Sequence, residues 1–288
     1  MNTNLHEGKK NRISEDSWAI TLLLDLMNTC WQFIDTGENT GAFNMQFDEQ
    51  LARNLLDGSG NPTVRLFRWK PWAISLGFNQ DISKIDVEQC VADGIDVVRR
   101  PTGGRAVFHA EELTYSVAMP ADGKSVLEIY NQISKALVQG LRLFGVNATL
   151  SRSQPDLREH YKNPSSIPCF TASARYEIEW RGKKLVGSAQ RRFRNHETGE
   201  EIVLQHGSIL IGPAHRDLIK YLVLPDEQTR ESLANELVDK TLELSQIRQR
   251  DIIIEDLSTC IRRGFEEEWR ISFVHGNKSL KEFTPTYA

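Results

Sequence analysis

Cysteine is scarce in this chain of 288 residues. Cys30, Cys90, Cys169 and Cys260 are the full complement, with no CxxC pair and no His/Cys cluster at zinc-ligand spacing. A structural metal is therefore not expected. Long apolar runs are also lacking. The most apolar stretch, Trp18 to Met27, follows Lys9, Lys10 and Arg12 in the manner of a signal peptide, but Asp25 interrupts it and no small-residue cleavage site follows. It is far shorter than the roughly 20 apolar residues that cross a bilayer. A cytoplasmic, thiol-reducing setting follows as the expectation, and there a lone cysteine is free to act as a nucleophile. Neither sign of charge dominates. With 35 basic and 39 acidic residues, the net charge of −4 gives no overall attraction to nucleic acid, and no polybasic tail points to a membrane surface. No repeat period is present, and neither a Walker loop nor GxGxxG occurs.

What is present is enough apolar residue, 40% of the chain, to build a substantial core. Residues 1–15 are polar and read as a mobile tail, with one domain over 16–288: a core of about 30–224 and C-terminal helices over 225–288. Trp31 to Asp35 reads as a strand. Thr40 then caps a helix in which Phe43, Phe47, Leu51 and Leu55 recur every fourth residue. Short strands follow at Val64 to Trp69, Ala73 to Leu76, Asp96 to Arg99, Ala106 to Phe108 and Leu113 to Met119. Ser125-Val-Leu-Glu128 forms a capping box for a helix burying Ile129, Ile133, Leu137 and Leu141, and Gly145 lies just beyond its end. A polar loop from about Ser151 to Pro168 leads to Cys169. Tyr176, Ile178 and Trp180 alternate as one strand face, Arg181-Gly182 suits a hairpin turn, and Lys184 to Val186 is the return strand. It passes into a loop, Gly187-Ser188-Ala189-Gln190, before a strand over Val203 to Leu210. Beyond Pro225, Leu233 and Leu237 share one helix face, and Leu257, Cys260, Ile261, Gly264, Phe265 and Trp269 share another. Irregularly interleaved strands and helices favour an α+β (mixed α/β) domain over strict βαβ winding.

Three segments could carry chemistry. In Arg99-Arg100-Pro101-Thr102-Gly103-Gly104-Arg105, two adjacent glycines let the backbone approach a ligand closely, and three arginines place positive charge beside it. A phosphate, a carboxylate or an acyl carbonyl would suit such a loop, although a tight turn with solvated arginines has the same pattern. Cys169, after Pro168 at the end of a polar loop, is a candidate nucleophile, with Lys183 and Lys184 as possible cations to lower its pKa. Single cysteines are also common as small buried apolar residues, the reading given to Cys30, Cys90 and Cys260. Lys183 and Lys184 point to opposite faces of one strand, and Lys184 is the better inward candidate. His109 and His206 suit hydrogen-bonding loop roles as well as acid/base roles.

Together these segments resemble the lipoate-attachment superfamily of lipoate–protein ligases, octanoyltransferases and, more distantly, biotin–protein ligases. The marks are Asn44-Met45 with Asp48-Glu49, Trp69 to Gly77 with Gln80, RRPTGGRAVFH, GKKLVGSAQ and QHGSIL, in order over about residues 30 to 210. Pro168-Cys169-Phe170 ahead of Arg175-Tyr-Glu-Ile-Glu resembles the Gram-positive-type octanoyltransferases and lipoyl amidotransferases, which use a cysteine in this loop. The resemblance implies a biotin/lipoate–protein ligase-like domain that transfers octanoyl from octanoyl-acyl carrier protein to a lysine of a lipoyl domain or glycine-cleavage H protein. It further implies catalysis by Cys169 and Lys184, with acyl or substrate contacts from Arg100, Thr102, Gly103, Gly104, His109, Gly187, Ser188, Ala189, His206 and Gly207. No cofactor or metal, no nucleic acid and a monomeric state are expected. Amidotransfer between lipoyl domains, ATP-dependent ligation and a non-catalytic acyl-binding module are the alternatives. Arg191, Arg192 and Arg194 form a basic stretch that suits acidic partners or a solvated loop.

Overall fold

The computed structural model describes residues 30–151 and 177–275. Cys169, Tyr176 and the 1–15 tail lie outside the described residues. Two sheets carry the architecture. The larger has eight strands in the order β11-β1-β2-β6-β10-β9-β8-β7. These are β1 (Gln32–Asn39), β2 (Thr63–Trp69), β6 (Glu112–Pro120), β7 (Thr149–Leu150), β8 (Ile178–Trp180), β9 (Lys183–Arg194), β10 (Glu201–Leu210) and β11 (Val274–His275). Parallel pairing of β1 with β2 and β11, against antiparallel pairing from β2 through β7, makes this a mixed sheet. In the smaller sheet β3 (Ala73–Leu76) lies between parallel β4 (Asp96–Arg99) and antiparallel β5 (Val107–His109).

Each face of the large sheet is covered for a local reason. Helix α1 (Gly41–Leu56) starts where the Thr40 side chain accepts from Phe43 N–H, and it buries Asn44, Met45, Asp48 and Ala52. Helix α2 (Val87–Ala92) is short and capped by Asp86. Helix α3 (Val126–Leu143) opens with the expected Ser125/Glu128 capping box. Its buried Ile129, Ile133, Leu137 and Leu141 join Val64, Tyr115, Val117 and Val203 of the sheet in the main core. The C-terminal part adds a 3₁₀ segment (Pro213–Tyr221), α4 (Glu227–Lys240), α5 (Leu244–Arg248) and α6 (Ile254–Trp269). Leu257, Ile261 and Phe265 of α6 enter the same core, so this helix belongs to the fold and is no appendage.

Helices α3 and α6 approach through two glycines. A Cβ on Gly264 would sit 2.3 Å from the Gly140 backbone nitrogen, and one on Gly140 would lie 2.7 Å from the Ile261 Cα. Backbone meets backbone there, and a methyl has nowhere to go.

Strand β9 differs from the expected short strand followed by a loop. It runs unbroken to Arg194, so Gly187-Ser188-Ala189-Gln190 is strand, paired with Ser208, Gly207, His206 and Gln205 of β10. The expectation of a Gly187-Ser188 turn is corrected accordingly. Glycine and serine read as loop formers in sequence, but here Gly207 and Ser188 are a cross-strand pair in which a Cβ on Gly207 would meet the Gly187 carbonyl oxygen at 2.4 Å. Close strand approach, and no turn, is what these glycines supply. Arg191, Arg192 and Arg194 are likewise strand residues, and two of them are committed. Arg191 donates to the Pro101 carbonyl oxygen and lies over the Phe78 and Phe193 rings, while Arg192 pairs with Glu201 at 2.7 Å.

The α3–α6 crossing generates a direct test. Gly264→Ala should destabilise the protein by about 1–3 kcal/mol, the usual cost of overpacking. A melting temperature equal to that of the unaltered protein would show that the helices can separate freely.

Candidate active site

The Arg99–Arg105 loop is tied down on all sides. All five N–H directions of Arg100 end on the loop and its neighbour strand: the carbonyl oxygens of Ser75, Gly103 and Arg105 and the Ser75 hydroxyl. Arg100 is thus a brace for the loop. Arg99 donates from one nitrogen to the carbonyls of Gly77, Phe78 and Gln80, and Phe78 N–H donates to the Thr102 carbonyl oxygen. Gly104 has φ +94°, in the region only glycine adopts freely, and Gly103 has open space where a Cβ would stand. These are the requirements of a rigid backbone that a ligand approaches closely.

Thr102 is fixed by a buried chain of polar groups. Its hydroxyl is 2.6 Å from His206 Nε2, and His206 Nδ1 is 3.1 Å from Asp48 Oδ2. Asp48 in turn accepts from Arg65 and from Ser116, each at 2.7 Å. Arg65 and Asp48 have no exposed side-chain surface. Burial pushes the Asp48 carboxyl up, but the Arg65 charge and the His206 and Ser116 hydrogen bonds outweigh it and hold the group below its ordinary value. Burial pushes His206 down, against the opposing pull of Asp48. The consistent assignment is an ionised Asp48 accepting from His206 Nδ1–H, leaving neutral Nε2 to accept from the Thr102 hydroxyl.

A parallel chain holds His109. Its ring stacks on Trp69 at 3.9 Å and 11°, Nδ1 lies 2.8 Å from Glu112 Oε1, and Nε2 lies 2.7 Å from the Ser75 hydroxyl. Thr114 and Ser208 donate to the same Glu112 oxygen, and Trp69 Nε1–H donates to Thr114. Both ring nitrogens of both histidines are therefore engaged with protein atoms. As placed, the two histidines shape the site and do not offer a free base.

Between the two chains lies a cleft lined by Met45, Trp69, Val107, Ala189, Gly187 and the two histidines, with Arg100, Ser188 and Gly207 also on its wall. The space between these walls is about 400 Å³ when the open mouth is counted, and the enclosed room is far smaller, about 30 Å³. An apolar slot whose polar atoms are mutually satisfied suits an alkyl chain.

Lys184 reaches this side through an irregularity in β9. Register shifts between Ile178 and Glu179 where they pair with Val186 and Lys184, and the consecutive Leu185 and Val186 both enter the main core. Alternation then puts Lys184 on the face of Gly187 and Ala189. Its ammonium is buried and pairs with Glu177 at 2.6 Å. Thus Arg100, His109, Gly187, Ser188, Ala189, His206 and Gly207 border one cleft, Thr102, Gly103 and Gly104 belong to the loop beside it, and Lys184 stands outside its lining on the same face of β9. Asp48, Arg65, Trp69, Glu112 and Glu177 are contributors that the sequence reading did not assign. Asp48, Trp69 and Glu177 lie within recognised segments, Glu177 in Arg175-Tyr-Glu-Ile-Glu, but none of those segments shows which partner each side chain meets.

Two of the described cysteines, Cys90 and Cys260, are poor nucleophiles. Burial, with Asp86 and Asp93 nearby, pushes the Cys90 thiol up to about 11, and burial raises Cys260 as well. Among the described residues there is no group of three or more His, Cys, Asp or Glu side chains placed to hold a metal ion, and no helix long and apolar enough to cross a membrane.

Two predictions follow from the polar core. Asp48→Asn strips the buried Arg65 of its carboxylate and should cost roughly 3–5 kcal/mol in urea unfolding, whereas replacing Arg65 and Asp48 together by apolar residues should cost less. His206, lowered by burial, takes up its proton later in the folded than in the unfolded chain. Its contribution to stability is complete above about pH 6.5 and declines as the pH falls below that value. The slope of stability against pH between 6.5 and 5 should flatten in His206→Gln, and an unchanged slope would refute the assignment.

Residues 40–266 match the lipoyl protein ligase A/B catalytic domain. Octanoyltransferase LipM of Kyrpidia tusciae is 38% identical, with 88% of this chain and 92% of that protein covered. The proteins of the same name from Anoxybacillus flavithermus and Bacillus subtilis are 37% and 35% identical, each over 82% of this chain and 85% of the relative. Among solved structures, lipoate-protein ligase A bound with ATP superposes with a TM-score of 0.68 at 23% identity, covering 88% of this chain and 91% of the other. A bipartite lipoate protein ligase from Thermoplasma acidophilum gives 0.68 at 20%, covering 88% and 89%. At such identities the structures establish the fold, and they agree with the α+β architecture read from the sequence. By the match over residues 40–266 and by relatives above 30% identical across more than four-fifths of its length, the chain belongs to the lipoyl protein ligase A/B catalytic domain family.

Proposed function

We propose that this protein is an octanoyltransferase of lipoate biosynthesis, acting from an acyl carrier protein thioester onto a lysine of a lipoyl domain or glycine-cleavage H protein. The observation that carries this reading is the set of relatives named octanoyltransferase LipM, 33–38% identical over most of the chain. The narrow apolar cleft supports it, because an alkyl chain needs contact surface and few polar partners.

The chemistry runs in two displacements. The Cys169 thiolate attacks the donor carbonyl carbon, the bond from that carbon to the donor sulfur breaks, and the departing thiolate takes up a proton. In the second, the neutral acceptor amine attacks the acyl-cysteine, an amide forms, and the amine proton leaves as the Cys169 thiolate returns. Lys184 serves as the cation and proton carrier for both. Its buried pairing with Glu177 supplies the counter-charge that lets an ammonium stand in a closed site. In this reading the main-chain N–H groups of Gly103 and Gly104 meet the developing oxyanion.

Mass spectrometry of the intact chain mixed with octanoyl-carrier protein, without ATP, tests the route. The unaltered protein should gain an octanoyl adduct labile to hydroxylamine, and Cys169→Ala should gain none. Acceptor modification that needs ATP and free octanoate and survives Cys169→Ala would replace this reading with ligation. Lys184→Met removes the cation of a buried pair and should cost stability; compared at equal amounts of folded protein, it should lower the rate of adduct formation by about 10²–10⁴-fold, and a rate within twofold of normal would remove the lysine from the mechanism.

A further inference from the structure

A second cavity lies on the far side of the Trp69–His109 stack. It is lined by ends of the large sheet and by the segments around β5–β6 and α5–α6, and both stacked rings form part of its wall. Its charge is one-sided. Glu38, Glu111, Glu112 and Asp251 line it with one guanidinium, Arg68; Glu38 is met by Arg68 at 3.9 Å and by Lys70 at 3.1 Å, and Glu111 accepts from Ala214 N–H, so the negative charge open to a ligand is that of Glu112 and Asp251. A concave surface of one sign focuses the field and concentrates counter-charge.

The Glu112 carboxylate supplies an independent indication. Its side chain is 1% exposed. Oε1 takes the hydrogen bonds from His109, Thr114 and Ser208, whereas Oε2 is buried and accepts none. A buried carboxylate oxygen left without a donor is unfavourable, so a ligand that supplies a donor is favoured there. Trp72, 43% exposed, stands at the rim, and Ile211, Ile252 and Ile254 offer an apolar side. Carboxylates, an indole face and an aliphatic wall together match an ammonium on a short alkyl stem: the charge pairs with Glu112 and lies near an indole, and the stem covers isoleucine.

We infer that this cavity is a binding site for primary alkylammonium groups, separate from the acyl cleft and sharing the Trp69–His109 wall with it. Such a group is found both in free amines and in protein lysine side chains. The inference stands apart from the acyl-transfer reading and would survive its failure.

Calorimetric titration of the full chain with n-butylammonium chloride, against n-butanol at matched ionic strength, tests the site. Saturable binding of the ammonium and none of the alcohol is expected. Glu112→Gln should weaken binding about tenfold or more, the loss of one charge-assisted hydrogen bond. Trp72→Ala alters an exposed residue, keeps the test valid if the Glu112 variant fails to fold, and should weaken binding severalfold. A lysine-containing peptide that binds more tightly than n-butylammonium would assign the site to protein lysine, and equal affinity would assign it to free amines. No saturable binding, equal binding of butanol, or affinity unchanged in the Trp72 variant and in a folded Glu112 variant would overturn the inference.

Discussion

The site depends on one buried ion pair. Arg65 and Asp48 sit without solvent contact between α1 and the large sheet, 2.7 Å apart. The guanidinium spends its remaining donors on Thr36 and Asn44 and lies between the Phe47 and Phe67 rings. Two charges in such surroundings are tolerable only when every donor and lone pair has a place. Asp48 finds its last partner in His206, and His206 in turn meets Thr102. An electrostatic requirement of the core therefore extends to the loop that borders the cleft. The same groups that make α1 dock in a single way also determine where Gly103 stands.

Arg100 works differently. It sits in the region where a phosphate or carboxylate ligand would conventionally be met by an arginine, yet it is consumed by its own loop and by Ser75. Rigidity of the glycine pair comes from this internal bonding, which fixes the loop backbone without help from a ligand.

Much of this was legible in the sequence. Helix α3 declared itself by a capping box and a four-residue apolar period, and the structure places Ile129, Ile133, Leu137 and Leu141 as that period requires. Strands β2, β3, β4 and β6 fall where β-branched and aromatic runs between glycine and proline indicated. Residues on strands whose partners are remote in sequence were harder to read. Gly187-Ser188-Ala189 has loop composition and becomes strand because Gly207, far along the chain, lets the two backbones close. Asp48 and Arg65 were seen as members of a helix and a strand. Nothing local says that they meet, because their contact is created by how α1 crosses β2. Glu177 stands in the recognised Arg175-Tyr-Glu-Ile-Glu segment, but its pairing with Lys184 across a hairpin is not written in that segment.

The irregularity in β9 has a consequence for how this family is aligned. Because Leu185 and Val186 both turn inward, Lys184 and Gly187 share a face at a spacing of three, which an unbroken strand would forbid. The interval between lysine and glycine is therefore as much a part of the site as the residues themselves. A homologue lacking the extra residue would need its lysine two positions before the glycine, and an alignment that slid a gap into this strand would bring a hydrophobic side chain to the cleft face and bury the cation in the core.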